Sequence, residues 1–180
     1  SLSATVGVPL LAANGPAAIA SSLEEERIQS RLNWTPLKQV AKSDRDARCI
    51  KCRGKYTDPL AGADRSVSPN ESDLEVSSGD SDITDNAFFF SDAVTVTQGY
   101  RTLKAEEVTI DRAEQTVTAT GPIEVREPGI VMYGDTISYN SVDEQAQLTD
   151  AEFVLYEQQL YGIAEEVTRD ANGTLTIEDG

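Results

Sequence analysis

The chain has no histidine, two cysteines, one methionine and one tryptophan in 180 residues. Without histidine, the commonest general base and metal ligand at neutral pH is missing. Two cysteines and no histidine cannot supply the four ligands of a structural zinc site. No apolar run approaches the roughly 20 residues that a membrane-crossing helix needs. Positive charge is scarce in one part of the chain. Residues 66–180 carry five Lys/Arg against 24 Asp/Glu, for −19, whereas residues 1–65 carry ten against seven, for +3, and the whole stands at −16. Such a field repels nucleic acid and anionic surfaces at long range, which argues against a DNA or RNA partner. An acidic, solvated surface that resists aggregation accounts for the excess without a binding role.

Catalytic constellations are missing too. Glu106-Glu107 and Glu165-Glu166 look like paired carboxylates, but both pairs fall at one recurring position, and glycosidase pairs seldom arise that way. No nucleophile, base and oxyanion set is visible, and no glycine loop that could cradle phosphate. Asp80-Ser81-Asp82-Ile83-Thr84-Asp85 alternates oxygen donors but lacks the sixth-position glycine and the closing glutamate of a calcium loop, so it reads as a solvated turn. No catalytic residue, metal or cofactor is expected.

What is present is a sixteen-residue frame that recurs at Val96–Asp111, Val125–Asn140 and Leu155–Asp170, first 29 and then 30 residues apart. Each copy carries a small residue (Ala105, Gly134, Ala164), an acid (Glu106, Asp135, Glu165), a β-branched residue (Val108, Ile137, Val167) and a closing Asp or Asn (Asp111, Asn140, Asp170). A period of this size marks stacked supersecondary units. From about Leu74 the chain alternates in period two, with turn signals every 8–12 residues at Gln98-Gly99, Gly121-Pro122, Pro128-Gly129 and Asp170–Gly173. Each repeat therefore contributes two strands. Val94 and Val96, Val108 and Ile110, Ile123 and Val125, Ile137 and Tyr139, and Phe153 and Leu155 share faces, with Val167 continuing the set and Arg169 breaking it. Stacked in register, these positions make one apolar interior between two sheets. The small residues are expected where backbones pack closely, and the closing Asp/Asn as turn formers. An array that does not close leaves edge strands open to a partner.

The first 65 residues read differently. Residues 1–20 are uncharged, with an apolar run Val6–Ala13 and the triplet Ala18-Ile19-Ala20. They resemble the end of a secretory signal peptide cleaved after Ala20, the alternative being a flexible leader. Residues 21–65 form a partly helical lead-in. Ser22–Glu25 fits a capping box for a helix through about Leu32, and Thr35-Pro36 suggests a second helix over Leu37–Lys42. Trp34 is expected to plug one end of the β core. Cys49 and Cys52 form a C-x-x-C outside any βαβ context, which fits disulfide formation in an oxidising compartment. A local bridge and a bridge to cysteines elsewhere both remain open.

Gly121-Pro122-Ile123-Glu124-Val125 and Met132–Asn140 resemble the repeat of the OstA-like lipopolysaccharide-transport domains. These occur in periplasmic bridge proteins and at the N-terminus of outer-membrane LPS-assembly proteins. Leu32-Asn33-Trp34-Thr35-Pro36 and the Cys52–Pro59 stretch resemble the lead-in of the assembly branch. The resemblance implies an all-β fold, an open β-jellyroll (β-taco) of two-strand repeats over residues 66–180, exported to the periplasmic face of the outer membrane. It implies lipopolysaccharide in the apolar interior, a bridge protein joined by edge-strand pairing, and a C-terminal β-barrel with its plug lipoprotein. It also implies that the N-terminal cysteines pair with cysteines after that barrel. A free-standing bridge of the same fold and a repeat-built adhesin or structural stalk are the alternatives.

Overall fold

The computed structural model describes residues 26–45 and 53–180. The leader, the capping box at Ser22–Glu25 and both cysteines lie outside the described residues. The lead-in contributes a helical segment over residues 26–31 and a small antiparallel pair, β1 (Trp34–Pro36) with β2 (Gly54–Tyr56). The main body is a nine-stranded antiparallel sheet. Its strands are β3 (Leu74–Ser77), β4 (Asp80–Ile83), β5 (Ala87–Gln98), β6 (Arg101–Asp111), β7 (Thr116–Glu127), β8 (Ile130–Asn140), β9 (Gln145–Leu155), β10 (Leu160–Arg169) and β11 (Leu175–Glu178). Order follows the chain from β11 back to β5, whose outer edge takes β3 on one half and β4 on the other. Among the described residues β3 and β11 do not meet, so the array is an open β-jellyroll, as the repeats and the resemblance suggested.

Every repeat is a hairpin: β5–β6, β7–β8 and β9–β10. The closing Asp/Asn holds the loop that follows each one. Asp111 Oδ1 accepts from the amides of Ala113 and Glu114, both at 2.9 Å. Asn140 accepts from Val142 at 2.8 Å and Asp143 at 3.2 Å, and Asp170 accepts from Asn172 at 3.0 Å and Thr174 at 2.8 Å. The loops end on left-handed residues Gln115, Glu144 and Gly173. The turn-former reading of these Asp and Asn residues therefore holds.

A second line of left-handed residues crosses the sheet at its middle. Asp92 (φ 65°), Gly121 (93°), Asp150 (51°) and Asp179 (50°) stand 29 residues apart. Register shifts accompany the first two, between Ser91 and Val94 and between Thr120 and Ile123. Such interruptions bend strands sharply. They divide the sheet into two leaves. Residues 87–91, 107–111, 116–120, 136–140, 145–149 and 166–169 form leaf A, and residues 94–98, 101–104, 123–127, 130–133, 151–155 and 160–164 form leaf B. Gly121-Pro122, expected as a turn between strands, is instead this bend within β7. The repeated small residue faces it. A Cβ on Gly134 would lie 2.6 Å from the Thr149 carbonyl oxygen, and Ala105 and Ala164 are buried.

Three expectations fail outside the repeats. Leu37–Lys42 is not a helix. Residues 37–39 make a turn and only Lys42–Asp44 closes as a 3₁₀ turn, because strand pairing draws the Leu37 amide onto the Arg53 carbonyl at 2.9 Å. Asp80–Ile83 is an exposed edge strand rather than a turn. Trp34 does not plug the core. It is half-buried against Tyr56, ring centroids 4.7 Å apart, above Gly54, where an added Cβ would meet its ring at 2.5 Å.

Candidate functional site

Leaves A and B fold face to face over one apolar interior. Val94, Val108, Ile123, Val125, Phe153 and Val167 are buried in it, with Val96, Ile110, Ile137 and Leu155 packed on its margin. Tyr139 is half-buried but outside that packed group. Val108 and Ala119, at 1% and 0% exposed, lie on leaf A, and one layer of sheet cannot hide them alone. Their cover is leaf B. The same interior also holds residues that the frame passes over, namely Leu148, Ala119, Ile130 and Met132. Leu148 and Ala119 fall in the strands between frames, 29 residues apart, so the repeat is longer than its most visible stretch.

The interior is closed by side-chain packing in this state. Admitting hydrocarbon chains therefore requires the leaves to part, as an open array allows and a barrel does not. A hollow of about 750 Å³ opens elsewhere, at the bend of β5 and β6, lined by Ser91, Asp92, Lys104, Glu106 and Pro122. Of the predicted interior residues only Val94 reaches it.

Arg169 explains the break in the third copy. It occupies the inward position held by Ile110 and Tyr139 in the other copies. From leaf A its Nη1 reaches across to Glu127 Oε1 of leaf B at 3.2 Å, and Arg101 Nε meets the other oxygen of that carboxylate at 3.3 Å. Arg169, Glu127 and Arg101 thus form a charged tie across the rim of the interior.

The outer face of leaf B is buried as well, and sequence reasoning missed it. Leu32 of the lead-in, 2% exposed, packs on Val131, Tyr133, Val154 and Tyr156, a burial worth about 2 kcal/mol. The signal was available. Ile130–Tyr133 and Phe153–Tyr156 are unbroken apolar runs, which mean strands covered on both faces. Polar contacts fix the dock. Arg126 donates to Asn33 Oδ1 at 2.9 Å, to the Arg31 carbonyl at 3.0 Å, to Tyr133 Oη at 2.7 Å and to Glu124 at 2.8 Å. Tyr156 Oη donates to Asn33 at 3.0 Å. Arg31 pairs with Glu152 and lies 4.4 Å over the Tyr133 ring. At the hairpin tips the Gln159 amide exchanges two 2.9 Å bonds with the backbone of Tyr56, as a paired strand would. Asp58 accepts from the Gly129 amide at 2.8 Å.

Burial pushes the Tyr133 phenol up to about 12, although Arg126 opposes the shift, and burial likewise raises Tyr156. Burial pushes the Glu124 carboxyl up, but the hydrogen bond and charge of Arg126, with Lys104, bring it below its ordinary value. A raised phenol contributes stability that is complete below its unfolded value near 10 and lost as pH climbs through the folded one. Near-ultraviolet dichroism and tyrosinate absorbance should therefore show the lead-in loosening between about pH 10 and 12, and Tyr133→Phe should diminish that step, leaving the part that Tyr156 contributes. Glu124 has the opposite sign. Its contribution is present at neutral pH and fades as pH falls through its lowered value.

A bent antiparallel sheet, unclosed among the described residues and folded over an apolar interior, is an open β-jellyroll. The model of the family described as "LptA/(LptD N-terminal domain) LPS transport protein" matches residues 74–172, and the chain belongs to this family. Its curated relatives place it with the N-terminal domain of LptD. The LPS-assembly protein LptD of Saccharophagus degradans is 30% identical over 130 residues, covering 72% of this chain and 15% of that protein. The LptD of Hahella chejuensis is 28% identical over 173 residues, covering 92% and 22%. The chain thus spans less than a quarter of either relative. Among solved structures, LptH, described as the LptA homologous periplasmic component of the conserved lipopolysaccharide transport device from Pseudomonas aeruginosa, aligns with a TM-score of 0.53 at 21% identity, covering 63% of this chain and 87% of that one. That likeness shows the shared fold.

Proposed function

We propose that this chain is the periplasmic lipopolysaccharide-binding module of an LPS-assembly protein. It accepts lipopolysaccharide from a β-jellyroll bridge and passes it to a C-terminal β-barrel with its plug lipoprotein, on the periplasmic side of the outer membrane. The single observation that carries this reading is the continuous apolar interior of an open sheet in a member of an LPS-transport family. Acyl chains enter between leaves A and B, displacing side-chain contacts of comparable apolar character. The work is transfer, for which no catalytic group is required.

Edge pairing supplies the junction to neighbouring jellyrolls. The two edges are unequal. β4 guards one with Asp80 and Asp82, and charge on an edge discourages indiscriminate pairing. At the other, β11 covers only residues 166–169 of β10, so among the described residues, residues 160–164 pair with β9 alone, with Leu160, Tyr161 and Ile163 exposed. Residues 21–65 act as a lead-in, and its two cysteines, Cys49 and Cys52, form disulfides with cysteines after the barrel.

Photocrosslinking side chains at Ile123, Val125, Ile137 and Leu155 should capture lipopolysaccharide. The same label at Lys104 or Thr120, on the outward side of the strands, should not. Capture confined to the outward pair removes the groove reading.

A further inference from the structure

The acidic segment 66–180 has five cationic side chains. Lys104 and Arg126 are engaged with Glu124 on the outer face, and Arg112 stacks on Phe88. The remaining two, Arg101 and Arg169, converge on one carboxylate at inward-facing positions of opposite leaves. Two arginines on one glutamate leave a local +1 inside a segment of −19. Arg169 moreover stands where the other copies place Ile110 and Tyr139, so a charge replaces an apolar wall residue at the rim of the interior. Building on the lipopolysaccharide reading, we propose that Arg101 and Arg169 form a subsite for a phosphate of the lipid headgroup, and that Glu127 holds this place until the phosphate displaces it.

Geometry supports the exchange. Each arginine meets Glu127 through one nitrogen at 3.2–3.3 Å, longer than a good charge-assisted bond and short of the two-pronged geometry that guanidinium groups favour. A phosphate offers more acceptor oxygens and more charge than a carboxylate, and can take both forks at once. The two side chains are 30% and 35% exposed, so a headgroup at the rim reaches them while acyl chains run inward past Val125 and Ile137. The tie spans the leaves. Parting them for the acyl chains therefore breaks the Arg169–Glu127 contact, and loading and headgroup capture are one event. This also shows how so acidic a module takes an anionic lipid: long-range repulsion is met by local compensation at the mouth.

The test is binding of hexa-acylated lipid A bearing both phosphates, compared with the same lipid after enzymatic dephosphorylation and with inorganic phosphate. The full chain should prefer the phosphorylated lipid by roughly tenfold, the worth of one or two charge-assisted hydrogen bonds. Arg101→Gln with Arg169→Gln should abolish the preference between the two lipids. Glu127→Gln, which removes the competing carboxylate and keeps its shape, should increase the preference, and it serves on its own should the double variant fail to fold. An unchanged preference in the double variant, or in Glu127→Gln, overturns the subsite. Equal saturation by inorganic phosphate overturns its assignment to a lipid. Binding of neither lipid to the unaltered chain overturns the underlying functional reading instead.

Discussion

Arg126→Ala detaches the lead-in from leaf B and lowers unfolding stability by about 2–4 kcal/mol. One guanidinium ties three elements together. It holds the Arg31 carbonyl and Asn33 of the lead-in, Tyr133 of β8, and Glu124 on its own strand. Truncation leaves Glu124, itself only 23% exposed, beside Lys104 alone, and leaves the half-buried Arg31 carbonyl with Tyr133 as its partner. Losing one partner of a buried pair costs more than the pair contributes, because the other stays desolvated. The expected signature is local first. Limited proteolysis should cut between residues 26 and 60 under conditions where the unaltered chain resists, while the strands from β5 to β10 remain protected. If urea unfolding stays superimposable on that of the unaltered chain, the lead-in is not held as described.

Gly121→Ala costs about 3 kcal/mol through two effects that act at one atom. The residue sits at φ 93°, beyond the left-handed well that a side chain tolerates, and such strain is worth roughly 1–3 kcal/mol. The added Cβ would also lie 2.5 Å from Glu106 Cβ, which is fixed to the backbone of the neighbouring strand and cannot swing aside. At the matching bends Asp92, Asp150 and Asp179 stand near 50–65°, within reach of aspartate. So Gly121→Asp, the residue the other copies use, should be no milder. A midpoint unchanged in urea for either variant would show that the bend across β7 does not depend on this residue.

The repeats were legible because their physics is periodic. A hairpin that buries alternate residues must show period two, and hairpins that stack must repeat, so Val94, Val108, Ile123, Phe153 and Val167 could be placed inside from pattern alone. The turn role of Asp111, Asn140 and Asp170 followed from side-chain chemistry that needs only neighbouring amides. The bend was harder to see. Asp and Gly at a 29-residue spacing tolerate a left-handed backbone, but they also serve at ordinary turns, and nothing local distinguishes a kink within β7 from a loop between strands. The lead-in was hardest. Whether Trp34 or Leu32 is the buried residue depends on which face of which strand the segment meets, and that is set by contacts such as Arg126–Asn33, 93 residues apart in sequence. The tie at Arg169 was visible only as an exception to a pattern; its partner, Glu127, is defined by the folding of one leaf over the other.

On the proposed function, the space between the leaves receives acyl chains. Calorimetric titration of the full chain with lipopolysaccharide and with its fully deacylated saccharide tests that most directly, because burial of hydrocarbon carries a negative heat-capacity change. Saturable binding of the acylated form is expected, with a heat-capacity change that grows with acyl-chain number, and no binding of the deacylated form at the same concentrations. Equal binding of the two, with a heat-capacity change near zero, would contradict it.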